Sequence, residues 1–336
     1  MRAAGARWPF YIAASKWNWH MKRETVVQEV RTLLARTGFF SHDAKLFVSP
    51  VFDVVARRDA SLIVVKCLLN GDSLTGASAE PLMQAAAMLR ASPLVVAARS
   101  SKGKLEDGVI YLRHGTPMVS LKTLRDFLVD GVPPIAFAGP GGYFVSMDSG
   151  ALKRARQRRR LSLEAVAREV GVSRRAIQLY EEGLGAAVDA AERIERFFGE
   201  ALTVPLDPFT YRAVAESAHA GPGGGEDAFE AYVVRALTGM GYRVTPAVRC
   251  PFDAIVERPG ARLLSGIESA PSAVATRART LAAIAQVAET DAVMFVSREV
   301  PHDSIGGTPV VTRRELQRAD SAEEIFDIIK QRRKSG

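Results

Sequence analysis

Arginine and glutamine read DNA bases most directly, arginine by a bidentate pair to guanine and glutamine by one to adenine. Arg174, Arg175 and Gln178 stand at i, i+1 and i+4, so a helix over about 174–182 gathers them near its start. Upstream lie Lys153, Arg154, Arg156, Arg158, Arg159 and Arg160, cations of the kind that grip phosphates and set register without carrying sequence information. From Gly150 to Gln178 nine basic residues face two acidic ones, Glu164 and Glu169. From Leu179 to Glu200 the balance reverses, with Arg193 and Arg196 against six acids. A charge run is usually only a solvated face. This split instead tracks the base-reading pattern, as expected of a unit that docks on a polyanion in one orientation.

Those side chains need two short helices crossing closely. A helix-turn-helix requires a small residue at the crossing, here Ala167. Four residues later its tight turn needs a residue tolerant of positive φ, here Gly171. Val166, Val170, Val172 and Ile177 fall where the two helices must pack, and Ser162 and Ser173 fall where their N-caps belong. An amphipathic hairpin would explain the apolar spacing but not Ala167, Gly171 and Ser173 together. Leu179 and Tyr180 read as packing residues.

The segment resembles a Cro/C1-type helix-turn-helix, including its Tyr180-Glu181-Glu182-Gly183 ending, which is similar to that family's Tyr-Glu-x-Gly. One departure is Leu163, where the family often places glutamine just after the cap of the first motif helix. From about Met21 the whole chain resembles a group of archaeal transcriptional regulators with such a domain at the centre. Phe52-Asp53-Val54-Val55-Ala56-Arg57, Leu105-Glu106-Asp107-Gly108-Val109 and Ala138-Gly139-Pro140-Gly141-Gly142 carry that wider match. It implies a DNA-binding regulatory role and no particular target.

A second chemistry is sketched by Asp53 with Lys66 thirteen residues on. The spacing resembles the PD-(D/E)XK nuclease fold, whose site uses two carboxylates to hold Mg²⁺ and a lysine to position or activate water. Val64 stands where the second carboxylate belongs. Around Asp253 the matching positions are Leu264 and Gly266, so two of three members are missing. Glu24, Glu29 and Glu80 are conceivable migrated acids. Without a ligand set the expectation is no metal, no cofactor and no catalytic residue, with Asp53, Lys66 and Asp253 as vestiges. Scaffolding, dimerisation or extra DNA contact is then the work of these regions.

The front and rear thirds repeat their landmarks in one order. Each has a helix ending at Gly-aromatic (Gly38-Phe39; Gly241-Tyr242), then Phe-Asp (Phe52-Asp53; Phe252-Asp253) and a strand (61–69; 261–267). An alanine-rich helix (80–89; 273–287), a buried strand and Gly-Thr-Pro-x-Val (Gly115; Gly307) follow. Such mixed repeats imply two copies of one α/β unit around a partly parallel sheet covered on both faces. The predicted fold class is multi-domain α/β plus all-α, with a central helix-turn-helix domain between two duplicated restriction-endonuclease-like domains. The expected boundaries are a disordered extension over 1–20, a first α/β domain over 21–135 and a linker over 136–148. The helical domain then takes 149–203, a second linker 204–226 and the second α/β domain 227–336.

The chain has 336 residues, 47% hydrophobic and 24% charged, enough apolar material for several cores, and a net charge of +8 that favours polyanionic partners. Cys67 and Cys250 form no disulfide framework, and no apolar run is long enough to span a bilayer, so a reducing cytoplasm is expected. The five histidines have no metal spacing, and Gly139–Gly142 lacks the Gly-Lys-Ser/Thr ending of a phosphate loop. Lys330, Arg332, Arg333 and Lys334 form a basic tail, read as added DNA affinity or as a solubilising end. The resulting expectation is a sequence-specific regulator of double-stranded DNA, acting as a homodimer with the transcription machinery and no membrane as its further setting. A metal-dependent endonuclease and a sequence-blind architectural adaptor are the alternatives.

Overall fold

The computed structural model describes residues 22–42, 49–213, 228–247 and 249–334. The expected extension over 1–20 and the glycine cluster at 221–225 lie outside the described residues.

Helix α1 (Arg23–Arg36) buries Val26, Val30 and Leu34, a single face at i, i+4 and i+8. Strand β1 (Phe40–Ser41) precedes a hairpin of β2 (Val54–Arg58) and β3 (Ser61–Asn70). Helix α2 (Gly76–Leu89) starts before the expected Glu80 because Thr75 and Ser78 form a capping box. Strands β4 (Ser92–Arg99), β5 (Val109–Arg113) and β6 (Thr116–Ser120) and helix α3 (Leu121–Val129) complete the first unit. β3 runs parallel to β4, and β4 to β6. Both faces of these strands are covered, which explains their continuous apolar runs. Along β3, Ile63, Val65 and Cys67 enter the core with α1 and α3, while Leu62 and Val64 enter the core with α2.

The chain over 136–148, expected as a linker, is a hairpin of β7 (Ala136–Gly139) and β8 (Gly142–Met147). The Gly-Pro cluster that suggested a linker is its turn, with Gly139 paired to Gly142. β7 extends the front sheet by pairing with β5. The helical unit follows as α4 (Ser149–Arg158), α5 (Leu163–Val170), α6 (Arg174–Glu181), β9 (Ala186–Ala187), α7 (Val188–Phe198) and β10 (Thr203–Val204). β9 and β10 both pair with β8, so the helical unit is stitched into the front sheet. Gly185 sits at that junction because a Cβ there would lie 2.8 Å from Phe137 Cζ and 3.1 Å from the Val145 carbonyl oxygen. The start of the second expected linker is packed as well. Leu206 N–H donates to the Pro134 carbonyl at 2.7 Å, and the Phe209 ring is buried against Phe39 and Phe127.

The rear unit comprises α8 (Ala228–Gly239), β11 (Arg243–Pro246), β12 (Ala254–Arg258), β13 (Ala261–Glu268), α9 (Pro271–Ala288) and β14 (Asp291–Val296). β15 (Ser304–Ile305), β16 (Thr308–Thr312), α10 (Arg313–Arg318) and α11 (Ala322–Lys334) close it. Its strand order, β11-β12-β13-β14-β16-β15, repeats the front order β1-β2-β3-β4-β6-β5 with the same parallel and antiparallel pairings. The basic tail belongs to α11. Arg332 is held by Glu315 at 2.5 Å, Arg333 pairs with Asp291, and Lys330 lies over the Phe326 ring.

The two α/β units share one apolar core that runs from Val55, Val64 and Leu82 into Ile255, Leu281 and Ile284. Its rim is locked reciprocally. Arg57 of β2 donates to the Val287 carbonyl at 2.8 Å and the Ala288 carbonyl at 2.9 Å, and lies 3.0 Å from the Glu289 carboxylate, closing the end of α9. Arg262 of β13 donates to the Met88 carbonyl at the end of α2. Arg57 faces Leu62 across its hairpin and Arg262 faces Glu257 across the other, so the two arginines come from the corresponding rung of each unit. A cation at a helix C-terminus satisfies orphan carbonyls and complements the dipole. Replacing Arg57 by alanine should cost about 1–3 kcal/mol and speed amide exchange in the last turn of α9. Unchanged exchange there would show that the lock carries no energy.

Candidate nucleic-acid interface

The helical unit is built as its residue pattern requires. Ser162 Oγ accepts the Ala165 N–H at 3.1 Å and Ser173 Oγ accepts the Ala176 N–H at 3.0 Å, capping α5 and α6. Gly171 closes α5 at φ 73°, the left-handed conformation that favours glycine. Val166, Ala167, Val170 and Ile177 are buried with Leu152, Ile194 and Phe198 in one core. Tyr180 is buried and Leu179 half-buried, as expected of packing residues. Leu163, the departure from the family pattern, packs against the same core, so an apolar contact stands where a polar one was anticipated.

α6 therefore has one side locked and one free. Arg174 and Arg175 are exposed on its first turn. Gln178 follows one turn later, half-buried, with its amide donating to the Glu182 carboxylate at 2.8 Å. Lys153, Arg154, Arg160 and Arg168 are exposed as well.

The other three cations of the basic run are turned to structural use. Arg156 binds both oxygens of Glu181, at 2.6 and 2.8 Å, and joins α4 to the end of α6, with the two side chains only 15% and 8% exposed. Arg158 pairs with Glu200 at 2.6 Å. Arg159 donates to the Phe197 and Phe198 carbonyls at 2.8 and 2.6 Å, closing α7. Part of the acidic rear is thus the counter-charge of the basic front. Arg193, absent from the sequence-level candidates, donates to the Val170 carbonyl at 2.7 Å and finishes α5. No local pattern marks it, because its partner lies on another helix.

The second chemical sketch comes out differently from a metal site. Asp53 accepts the Cys67 N–H at 2.7 Å on one oxygen and Arg23 of α1 at 2.5 Å on the other. Lys66 is buried, donating to the Pro50 and Val51 carbonyls at 2.7 and 3.0 Å, and burial lowers its pKa against the opposing pull of Asp53. Val64 is fully buried in the apolar core beside α2. Asp253 is held in a related way but on one oxygen, its Oδ2 accepting both the Ile267 N–H at 2.6 Å and Arg277 of α9 at 2.5 Å. A Cβ at Gly266 would lie 2.6 Å from Met294 Cε, so a lysine there would first have to displace that side chain.

Each of the two aspartates is thus paired with a guanidinium. Glu24, Glu29 and Glu80 are exposed, and among the described residues no group of three His, Cys, Asp or Glu side chains is placed to hold a metal ion. The residues present do not fit Mg²⁺. Neither Arg23 nor Arg277 was legible from spacing, since each lies on a separate element from its carboxylate.

Residues 23–134 match the model of the PD-(D/E)XK superfamily domain, and residues 152–204 match a helix-turn-helix model. A Halobacterium salinarum protein, whose name assigns it an HTH-type transcriptional regulatory role, is 35% identical over 315 residues, covering 93% of this chain and 98% of its own. Similarly named proteins of Halorubrum lacusprofundi and Methanosarcina barkeri are 34% and 31% identical, each over 94% of this chain and 99% of theirs. No solved structure matches the chain. The chain belongs to this family of archaeal HTH-type transcriptional regulatory proteins.

Arg156→Ala strands a mostly buried Glu181 and should destabilise the helical unit by about 3 kcal/mol, read by amide exchange in α4 and α6. A destabilisation below roughly 1 kcal/mol would make the pair a surface contact. Millimolar Mn²⁺ should leave the thermal midpoint of the full chain unchanged, because a ligand raises stability only when it binds the native state. A midpoint that climbs with Mn²⁺ concentration would mean that a cation site exists after all.

Proposed function

We propose that this chain regulates transcription by reading double-stranded DNA sequence-specifically through α6. The observation that carries the reading is the pair Arg174 and Arg175, both exposed on the first turn of a helix whose other side is held in a core by Ile177 and Tyr180. A helix so mounted enters the major groove with its N-terminal end leading. Arg174 and Arg175 then pair with guanine edges, and Gln178 exchanges its contact with Glu182 for an adenine edge. Ser162 and Ser173 hold helix starts whose remaining N–H groups and dipole suit phosphate oxygens. Lys153, Arg154 and Arg160 grip the backbone. Arg159 adds to the positive field, while Arg156 and Arg158, paired with Glu181 and Glu200, keep α4 in place.

In this reading the chain has three units, over about 21–135, 149–203 and 227–336, the outer two being copies of one α/β fold. The shared strand order supports the duplication, as does the bond each Asp makes to the N–H fourteen residues on. One helix-turn-helix reads one half-site, so the working form is a homodimer on a two-fold operator with half-sites about 34 Å or a multiple apart. The α/β units act as scaffold and as the surface offered to the transcription machinery in the cytoplasm. Cleavage is not part of the proposal, because arginines hold both aspartates and Val64 offers no ligand.

The double variant Arg174→Ala/Arg175→Ala tests the assignment. Each bidentate pair discriminates by about 1–3 kcal/mol, so preference for the favoured duplex over a random one should fall by at least about tenfold. A preference equal to that of the unaltered chain would remove both residues from the reading.

A further inference from the structure

At the end of the front sheet from which the helical unit departs, the register places a second basic element, apart from α6, read as the DNA-reading helix. Asn70 pairs with Arg99, Ala97 with Ser120, and Tyr111 with Met118, which sets Val109 abreast of Ser120. Val109 pairs with Ala136 and Ala136 with Val145, and two residues later Met147 pairs with Thr203 as the chain turns into α4. The connection between β4 and β5 therefore leaves the same end of the same sheet as the helical unit.

That connection opens Arg99-Ser100-Ser101-Lys102-Gly103-Lys104, three cations without an acid. Its backbone is anchored. Ser100 and Gly103 exchange N–H···O bonds of 2.7 and 3.2 Å, Ser101 N–H donates to Asp72 at 2.7 Å, and Asn70 donates to Ser101 Oγ at 3.0 Å. Arg99, Lys102 and Lys104 are exposed around this fixed turn. Of the two acids that follow, Asp107 is engaged by its neighbours and Glu106 is exposed. Asp107 accepts from Ser120 Oγ at 3.1 Å and from Lys104 at 2.6 Å, while the Glu106 backbone donates to Tyr111 Oη at 3.0 Å.

The rear copy supplies an internal comparison. Its connection at the same place in the topology, residues 297–303, carries Arg298 against Glu299 and Asp303, whereas the whole front connection with Arg99 carries three cations against Glu106 and Asp107. The positive turn occurs in the copy whose sheet also holds the helix-turn-helix. Given that reading of α6, we propose that the 99–104 turn is a second DNA-contacting surface, in which Arg99 and Lys102 bind backbone phosphates flanking the groove occupied by α6.

The test is the salt dependence of binding of the full chain to a random-sequence duplex, for the unaltered protein, Arg99→Ala/Lys102→Ala, Arg298→Ala and Arg174→Ala/Arg175→Ala, each shown to keep its thermal midpoint. Neutralising one phosphate fewer makes the slope of log affinity against log salt shallower by about 0.9. The Arg99/Lys102 variant should change by nearly twice that amount and keep its base preference, while Arg298→Ala stays at the unaltered slope. An unchanged slope in the Arg99/Lys102 variant, with preference for the favoured duplex over a random one lowered about tenfold or more in the Arg174/Arg175 variant, overturns this proposal alone. An equal drop in Arg298→Ala overturns it too, by making the effect one of net charge. Failure of the unaltered chain to bind any duplex overturns the reading of α6 along with it.

Discussion

Strand β8 is bonded to three partners, β7, β9 and β10, and the placement of α6 rests on that pairing. Backbone N–H and C=O groups of a strand need partners, and those of β8 find them before, within and after the helical unit, in β7, β9 and β10. The chain enters α4 directly from β8 and returns through β10 onto the same strand. Glu195 reinforces the return, its carboxylate accepting the Leu202 and Thr203 N–H groups at 2.8 and 2.7 Å. The helical unit is consequently an outgrowth of the front sheet and not a bead on a tether.

Arginine does the second structural job, that of neutralising charge and helix ends at junctions between elements. Arg23 and Arg277 neutralise the two aspartates, Arg156 joins α4 to α6, and Arg57 and Arg262 close the helix ends between the α/β units. A planar guanidinium with five donors suits carboxylates and helix-end carbonyls better than a lysine would. The same pairing shows how arginine can neutralise the aspartates of a PD-(D/E)XK-like fold. A buried carboxylate must have a cation nearby, and an arginine meets that need with no chemistry attached. Positive charge not consumed this way is left exposed at 153–154, 160, 168, 174–175 and 99–104.

Much of this was legible in the sequence where the constraint is local. Ala167, Gly171 and Ser173 specify a crossing, a left-handed turn and a cap within a few residues, so the helix-turn-helix could be read outright. The repeated Phe-Asp and Gly-Thr-Pro landmarks marked equivalent points of two sheets that share one strand order. What escaped was non-local. Gly139–Gly142 looked like a linker because a hairpin turn and a linker use the same residues, and only pairing with β5 decides between them. Arg156 and Arg158 looked like phosphate grips because Glu181 and Glu200 meet them only after folding. Arg332 looked like part of a loose tail until Glu315 was brought beside it.

The most direct measurement is selection of preferred duplexes from a random pool by the full chain at near-physiological salt. The account predicts a recovered motif with two-fold symmetry and guanine at the positions nearest the start of α6. Measurable binding with no enriched motif would contradict it, because exposed arginines on a rigid helix would then be serving only as charge.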